Sequence, residues 1–267
     1  MKGKTGFFKI FITSIYDINV FSQYAKEGII KAVTYILIVC TCIGLVKGSI
    51  LGYKLNSSIK SITRYLQTNG KNTYIIKDGL LILDSNIADV DRNVYLDNEK
   101  AIDEDLDFNE IFNEKQAELL ILKDGIEFNN YGSIYALNYS DIFKGDNVKS
   151  DTIINTADSF SFVIMGAVIL INIIEIVKDL IFNYLLIVTG ALLVSIFMKM
   201  FVKYKALWSL VIYASTMPLI ILTILNILKP NINFDFTFIG GTLTYVILTL
   251  KHIKNDIIQR LSNKNIN

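Results

Sequence analysis

Glu175, Lys178 and Asp179 are the side chains that first invite a chemical reading, because they interrupt an otherwise apolar stretch. Charges inside membrane segments are costly, and where they persist they mark ion paths, proton relays or counter-ion pairs. Glu175 and Lys178 stand three apart, so on one helix they pair across one face. The competing reading is a polar turn between two helices. Asp103, Glu104, Asp105 and Asp107 offer oxygen ligands for calcium, but they lack the glycine and terminal glutamate of an EF-hand loop. They read as a solvated acidic loop. His252 is the only histidine, which leaves a His-based triad no spare partner and excludes histidine-rich metal sites. Between Lys251 and Lys254 it reads as an interfacial residue. Cys40 and Cys42, the only cysteines, point to nearly opposite sides of a helix, so no disulfide framework is expected. No phosphate-cradling, dinucleotide-binding or H-E-x-x-H motif is present. No catalytic, metal or cofactor set is expected, and the chain reads as non-enzymatic.

Two further patterns concern helix geometry. Gly44, Gly48 and Gly52 are four apart and stack on one helix face, where small residues let another helix approach closely; fraying at a helix end is the alternative. Pro218 removes a backbone hydrogen bond and is expected to kink its helix. Ser215 and Thr216 lie close enough to satisfy the freed backbone groups.

The elements that position these residues follow from composition. The 267 residues are 52% hydrophobic and 19% charged, with a mean hydropathy of +0.44. This is short of the roughly 25% charge of a soluble domain. Residues 54 to 151 hold 18 acidic and 11 basic side chains, so a net charge of +1 hides an acidic middle between basic ends. The expected fold is a membrane α-helical protein of four or five transmembrane helices with an inserted extracytoplasmic α+β domain. Residues 1–28 read as a cytoplasmic amphipathic segment on the membrane surface, and residues 29–52 as the first span, with Lys31 and Lys47 snorkelling to opposite interfaces. Residues 53–158 form the acidic domain, 159–252 a bundle of apolar helices, and 253–267 a basic polar tail.

Within the acidic domain, Lys77-Asp78-Gly79 between apolar runs signals a hairpin. Val94–Leu96 reads as a strand and Phe108–Gln116 as an acidic helix. Leu119–Leu122, Ile126–Phe128 and Ser133–Leu137 read as a meander, and Ser140 as the N-cap of a short helix. The C-terminal bundle shows four apolar runs, Phe160–Ile174, Leu180–Phe197, Leu207–Leu228 and Phe234–Leu250. Basic flanks place the N-terminus in the cytoplasm and residues 53–158 outside a bacterial cell membrane. If all four later runs span, Lys199, Lys203, Lys205 and the tail lie outside, against that rule. If Phe160–Ile174 does not cross, they become cytoplasmic.

The pattern resembles a bacterial membrane-protein family catalogued as domain of unknown function 1189, whose members carry the label maltodextrin utilization protein. The resemblance rests on Phe7-Phe8-Lys9 through Ser14-Ile15-Tyr16, Lys77-Asp78-Gly79-Leu80, Val94-Tyr95-Leu96-Asp97, Lys123-Asp124-Gly125-Ile126 and Tyr139-Ser140-Asp141. It continues through Tyr204-Lys205-Ala206 and Tyr213 to Pro218. The chain departs from it at Asp97-Asn98-Glu99-Lys100, where a threonine-rich stretch is expected. The resemblance implies an accessory part in sugar uptake. The expected function is external sensing or binding, or assistance to a transport system; the alternative is a transporter or channel subunit using the C-terminal helices. The partners expected are the lipid bilayer and other membrane proteins such as a transport complex, and no nucleic acid.

Overall fold

Between Ile29 and Thr68 no proline interrupts the chain, and between Ser150 and Phe197 neither does one. Each segment therefore propagates as a single helix once nucleated. The computed structural model describes residues 6–68, 74–83, 94–102, 117, 119–143, 147–230 and 232–264. Its helices are α1 (Phe7–Tyr16), α2 (Phe21–Ala25) and α3 (Ile29–Thr68), then α4 (Tyr139–Ile142), α5 (Ser150–Phe197), α6 (Tyr204–Ala214), α7 (Thr216–Leu228) and α8 (Asp235–Lys264). The chain forms two compact units, Met1–Gly44 with Ile173–Asn267, and Leu45–Asn172.

The runs Phe160–Ile174 and Leu180–Phe197, expected as separate segments, belong to one helix, the 48-residue α5. Ile174-Glu175-Ile176-Val177-Lys178-Asp179-Leu180 contains no glycine or proline, so its charges mark a polar patch on a helix and not a turn. At 1.5 Å per residue α5 is about 72 Å long and α3 about 60 Å, twice the roughly 30 Å of a hydrocarbon core. Among the described residues three helical segments are long and apolar enough to cross a membrane: Ile29–Arg64, Val163–Phe197 and Asp235–Asn263. The bent pair α6–α7 makes a fourth if it counts as one span.

The helical unit packs α2 on α6, α7 on α8 and α1 on α7. Its core contains Tyr35, Tyr184, Leu207, Tyr213, Phe238 and Leu250. Phe7 and Phe11 of α1 pack on that core, whereas Phe8, Ile12 and Tyr16 are exposed. The outward faces are apolar too: Ile30, Leu37, Ile181, Phe182, Leu193, Ile224 and Phe236 are all exposed. A soluble monomer rarely shows so continuous an apolar surface, which is the behaviour of a protein whose solvent is lipid.

Among the described residues the α+β unit holds seven short strands. β1 (Tyr74–Lys77) and β2 (Leu80–Leu83) form the expected hairpin, its turn made by Asp78 at φ 51° and Gly79 at φ 76°. β7 (Asn147–Lys149) adds antiparallel to β1. In the second sheet β4 (Leu119–Ile121), β5 (Gly125–Asn130) and β6 (Ser133–Asn138) are the expected meander, and β3 (Val94–Leu96) pairs parallel to β4. The N-cap of α4 is Asn138 and not Ser140. Lys47, expected to snorkel, is buried with its Nζ 4.4 Å above the Tyr131 ring. The Tyr131 hydroxyl donates to the Lys47 carbonyl at 3.1 Å. The acidic run 103–107 and the helix expected at 108–116 lie outside the described residues.

Candidate functional site

Apolar side chains from both sheets and from α3 and α5 converge in the Leu45–Asn172 unit without filling the space between them. They leave a cavity of about 380 Å³, within the range of ligand sites. Ile62 of α3, Ile76 of β1, Leu81 of β2, Ile121 of β4 and Ile164 of α5 form its aliphatic walls. The polar groups are few. The Tyr139 hydroxyl donates to the Leu122 carbonyl at 3.1 Å, and burial, with Asp124 nearby, pushes its pKa well up. Thr63 donates to the Ile59 carbonyl at 3.0 Å. The Tyr74 hydroxyl, buried at the same cavity, has no hydrogen-bond partner, and burial raises its pKa. Asp141 and Thr156 also line it, so such a site takes up mainly apolar matter and offers it a few polar groups.

The helical unit carries a second cluster, built on the break between α6 and α7. Pro218 cannot donate to the Ala214 carbonyl, and the two helices meet at 45°. Ser215 Oγ donates to the Ile212 carbonyl at 2.8 Å and Thr216 Oγ1 to the Tyr213 carbonyl at 2.9 Å. Both hydroxyls also meet tyrosines: Tyr184 at 2.6 Å from Ser215 and Tyr35 at 2.9 Å from Thr216. The Tyr213 ring lies tilted against Tyr24 and Tyr35, at 5.2 and 5.1 Å between centroids, and its buried hydroxyl is unpartnered. Gly241 of α8 lies against the Pro218 ring.

The remaining sequence-derived positions are helix contacts and charges. In the helical unit a Cβ on Gly44 would strike Ile173 of α5. In the α+β unit one on Gly48 would come within 2.6 Å of the Ile169 Cα, and one on Gly52 within 2.8 Å of the Met165 Cγ. Lys178 Nζ lies 3.8 Å from Asp179 Oδ1, with both side chains exposed. Lys178 and Asp179 share a small hollow with Asn183 and with Asp235, which opens α8. Among the described residues no group of three His, Cys, Asp or Glu side chains is placed to hold a metal ion.

A family model described as "Protein of unknown function (DUF1189)" matches residues 8–250. The chain belongs to this family. Neither the curated proteins nor the solved structures include a match to it.

The DUF1189 region thus includes the cavity, the hydroxyl cluster and the glycine contacts. Sequence reasoning missed several of its polar residues. Asn172, fully buried, donates to Asn130 Oδ1 at 2.9 Å and to the Val168 carbonyl at 2.9 Å. Glu127 on β5 is buried with Oε2 unpartnered; burial, helped by Asp124, pushes its carboxyl up to about 7. Asn172 within an apolar run was the one available signal, since a lone amide there demands a partner.

Proposed function

We propose that this DUF1189 protein is a multi-pass protein of the bacterial cell membrane whose Leu45–Asn172 unit lies outside and binds an apolar ligand without transforming it. The cavity carries the reading. Its aliphatic walls border about 380 Å³, and an apolar ligand lodged there gains about 25 cal/mol for each Å² it removes from water. The aliphatic walls select its chemistry, because a sugar would surrender its hydrogen bonds to water and recover almost none. An accessory role beside a transport system, sugar uptake included, therefore rests on contacts between membrane helices and not on this cavity.

Positive-inside bias supports the orientation. With α5 one helix, α3, α5, the α6–α7 pair and α8 make four crossings, so both termini share a side. Lys199, Lys203, Lys205, Lys251 and Lys254 then join Lys26 and Lys31 in the cytoplasm. The test is titration of the protein in lipid nanodiscs with a fluorescent single-chain fatty acid. Saturable binding at one per chain is expected, weakened by Ile164→Trp, which narrows the cavity from its partly exposed wall. Uptake equal to that of empty nanodiscs would refute the reading. The 45° bend and its hydroxyls favour a second reading as a transporter or channel subunit, which solute movement by the protein reconstituted alone would select.

A further inference from the structure

At the end of the helical unit where α2, the start of α3, the α5–α6 connection and the far end of α8 meet, a pocket of about 830 Å³ opens. Lys26, Lys31, Lys203 and Lys205 line it, against the acids Glu27 and Asp256. Lys31 Nζ lies 3.4 Å from Glu27, and His252 Nε2 3.7 Å from Asp256, so the four lysines outnumber the two acids. Lys26, Lys203 and Lys205 have no ion-pair partner among the described residues. Like charges gathered around one hollow repel, and an anion placed among them relieves the repulsion. Apart from Ser22, the rest of the lining is without polar side chains. Leu210 and Leu250 are buried at the pocket, and Ile30 and Ile257 are exposed at it.

We propose that this pocket binds an anionic phospholipid, with its phosphate among Lys26, Lys203 and Lys205 and its acyl chains along Ile30 and Ile257. Three observations argue for a lipid over a free anion. The apolar lining has no use for inorganic phosphate. The pocket opens on a bundle whose outward faces are apolar, so lipid is its standing neighbour. Basic pockets between membrane helices hold lipid head groups through the same combination of point charges and apolar walls. The inference does not depend on the ligand of the α+β unit.

The test is native mass spectrometry of the full-length protein in detergent, titrated separately with phosphatidylglycerol, phosphatidylcholine and inorganic phosphate. One phosphatidylglycerol per chain is expected, held at least about tenfold more tightly than phosphatidylcholine. The triple variant Lys26→Gln, Lys203→Gln, Lys205→Gln should lose on the order of 100-fold in phosphatidylglycerol affinity, about fivefold for each cation removed. A control with the same charge change at exposed Lys60, Lys77 and Lys123 should keep the preference. Should the triple variant not fold, Lys203→Gln and Lys205→Gln alone should each lower affinity about fivefold. Equal binding of the two lipids, an unchanged triple or single variant, or displacement of phosphatidylglycerol by equimolar inorganic phosphate would each overturn the proposal.

Discussion

Between Leu120 on β4 and Ala136 on β6, Glu127 occupies a sheet position whose neighbours are apolar, with its side chain buried and one carboxylate oxygen unpartnered. Its carboxyl, held at about 7 against an ordinary 4.5, keeps its proton in the folded chain at pH values where the unfolded chain has released it. Stability therefore falls as pH rises from 4.5 towards 7, by up to about 1.4 kcal/mol per pH unit. Above that window the full penalty persists, and below it the group contributes nothing. Glu127→Gln should flatten this slope and raise the melting temperature at pH 8. Parallel melting profiles for the two proteins between pH 4.5 and 8 would contradict the assignment. The sequence shows Ile126–Phe128 as a strand but not the burial of its glutamate, because a lone charge mid-strand reads as a solvent-facing position. What covers that face is decided by residues far along the chain.

Helix contacts are set by where a methyl group can fit, and three glycines of the α+β unit separate the possibilities. Alanine gains up to about 1 kcal/mol over glycine in a helix interior. At Gly166 nothing lies within 4 Å of the added Cβ, so Gly166→Ala should stabilise by roughly that amount. At Gly52 the obstacle is the flexible Met165 side chain, and Gly52→Ala should be nearly neutral. At Gly48 it is the backbone of Ile169, 2.6 Å away, and Gly48→Ala should destabilise by about 1–3 kcal/mol. Thermal melts in detergent should rank the variants in that order, and equal shifts for all three would show that these glycines set no contact. The spacing of Gly44, Gly48 and Gly52 was visible in the sequence, but the partner helix was not. Legibility elsewhere follows the same division between local and distant. Asp78-Gly79 dictates its hairpin through two adjacent positive-φ residues, whereas the parallel pairing of β3 with β4 joins segments more than twenty residues apart. The polarity around Lys178 suggests a turn, but no glycine or proline breaks the helix there. The cavity was out of reach altogether, being walled by segments from α3 to α5 that only the tertiary fold assembles.

Among the described residues three helices are long and apolar enough to cross a membrane, or four with the bent pair as one span, and in the proposed topology the unbroken α5 sets the parity of crossings. A break at Glu175–Asp179 would make five spans and put the lysines of the α5–α6 connection on the side opposite Lys26 and Lys31. In the proposed topology one continuous helix makes four and puts all of them on one side. That gathering is what the pocket lined by Lys26, Lys31, Lys203 and Lys205 records, and at the other end Lys178 and Asp179 meet Asp235. The direct measurement is labelling by a membrane-impermeant thiol reagent in intact cells, with Cys40 and Cys42 replaced by alanine and single cysteines introduced at the exposed positions Ser133, Asn233 and Asn255. The account predicts that Ser133→Cys and Asn233→Cys are labelled in intact cells, and that Asn255→Cys is labelled only after the membrane is permeabilised. Labelling of Asn255→Cys together with Ser133→Cys in intact cells would contradict it.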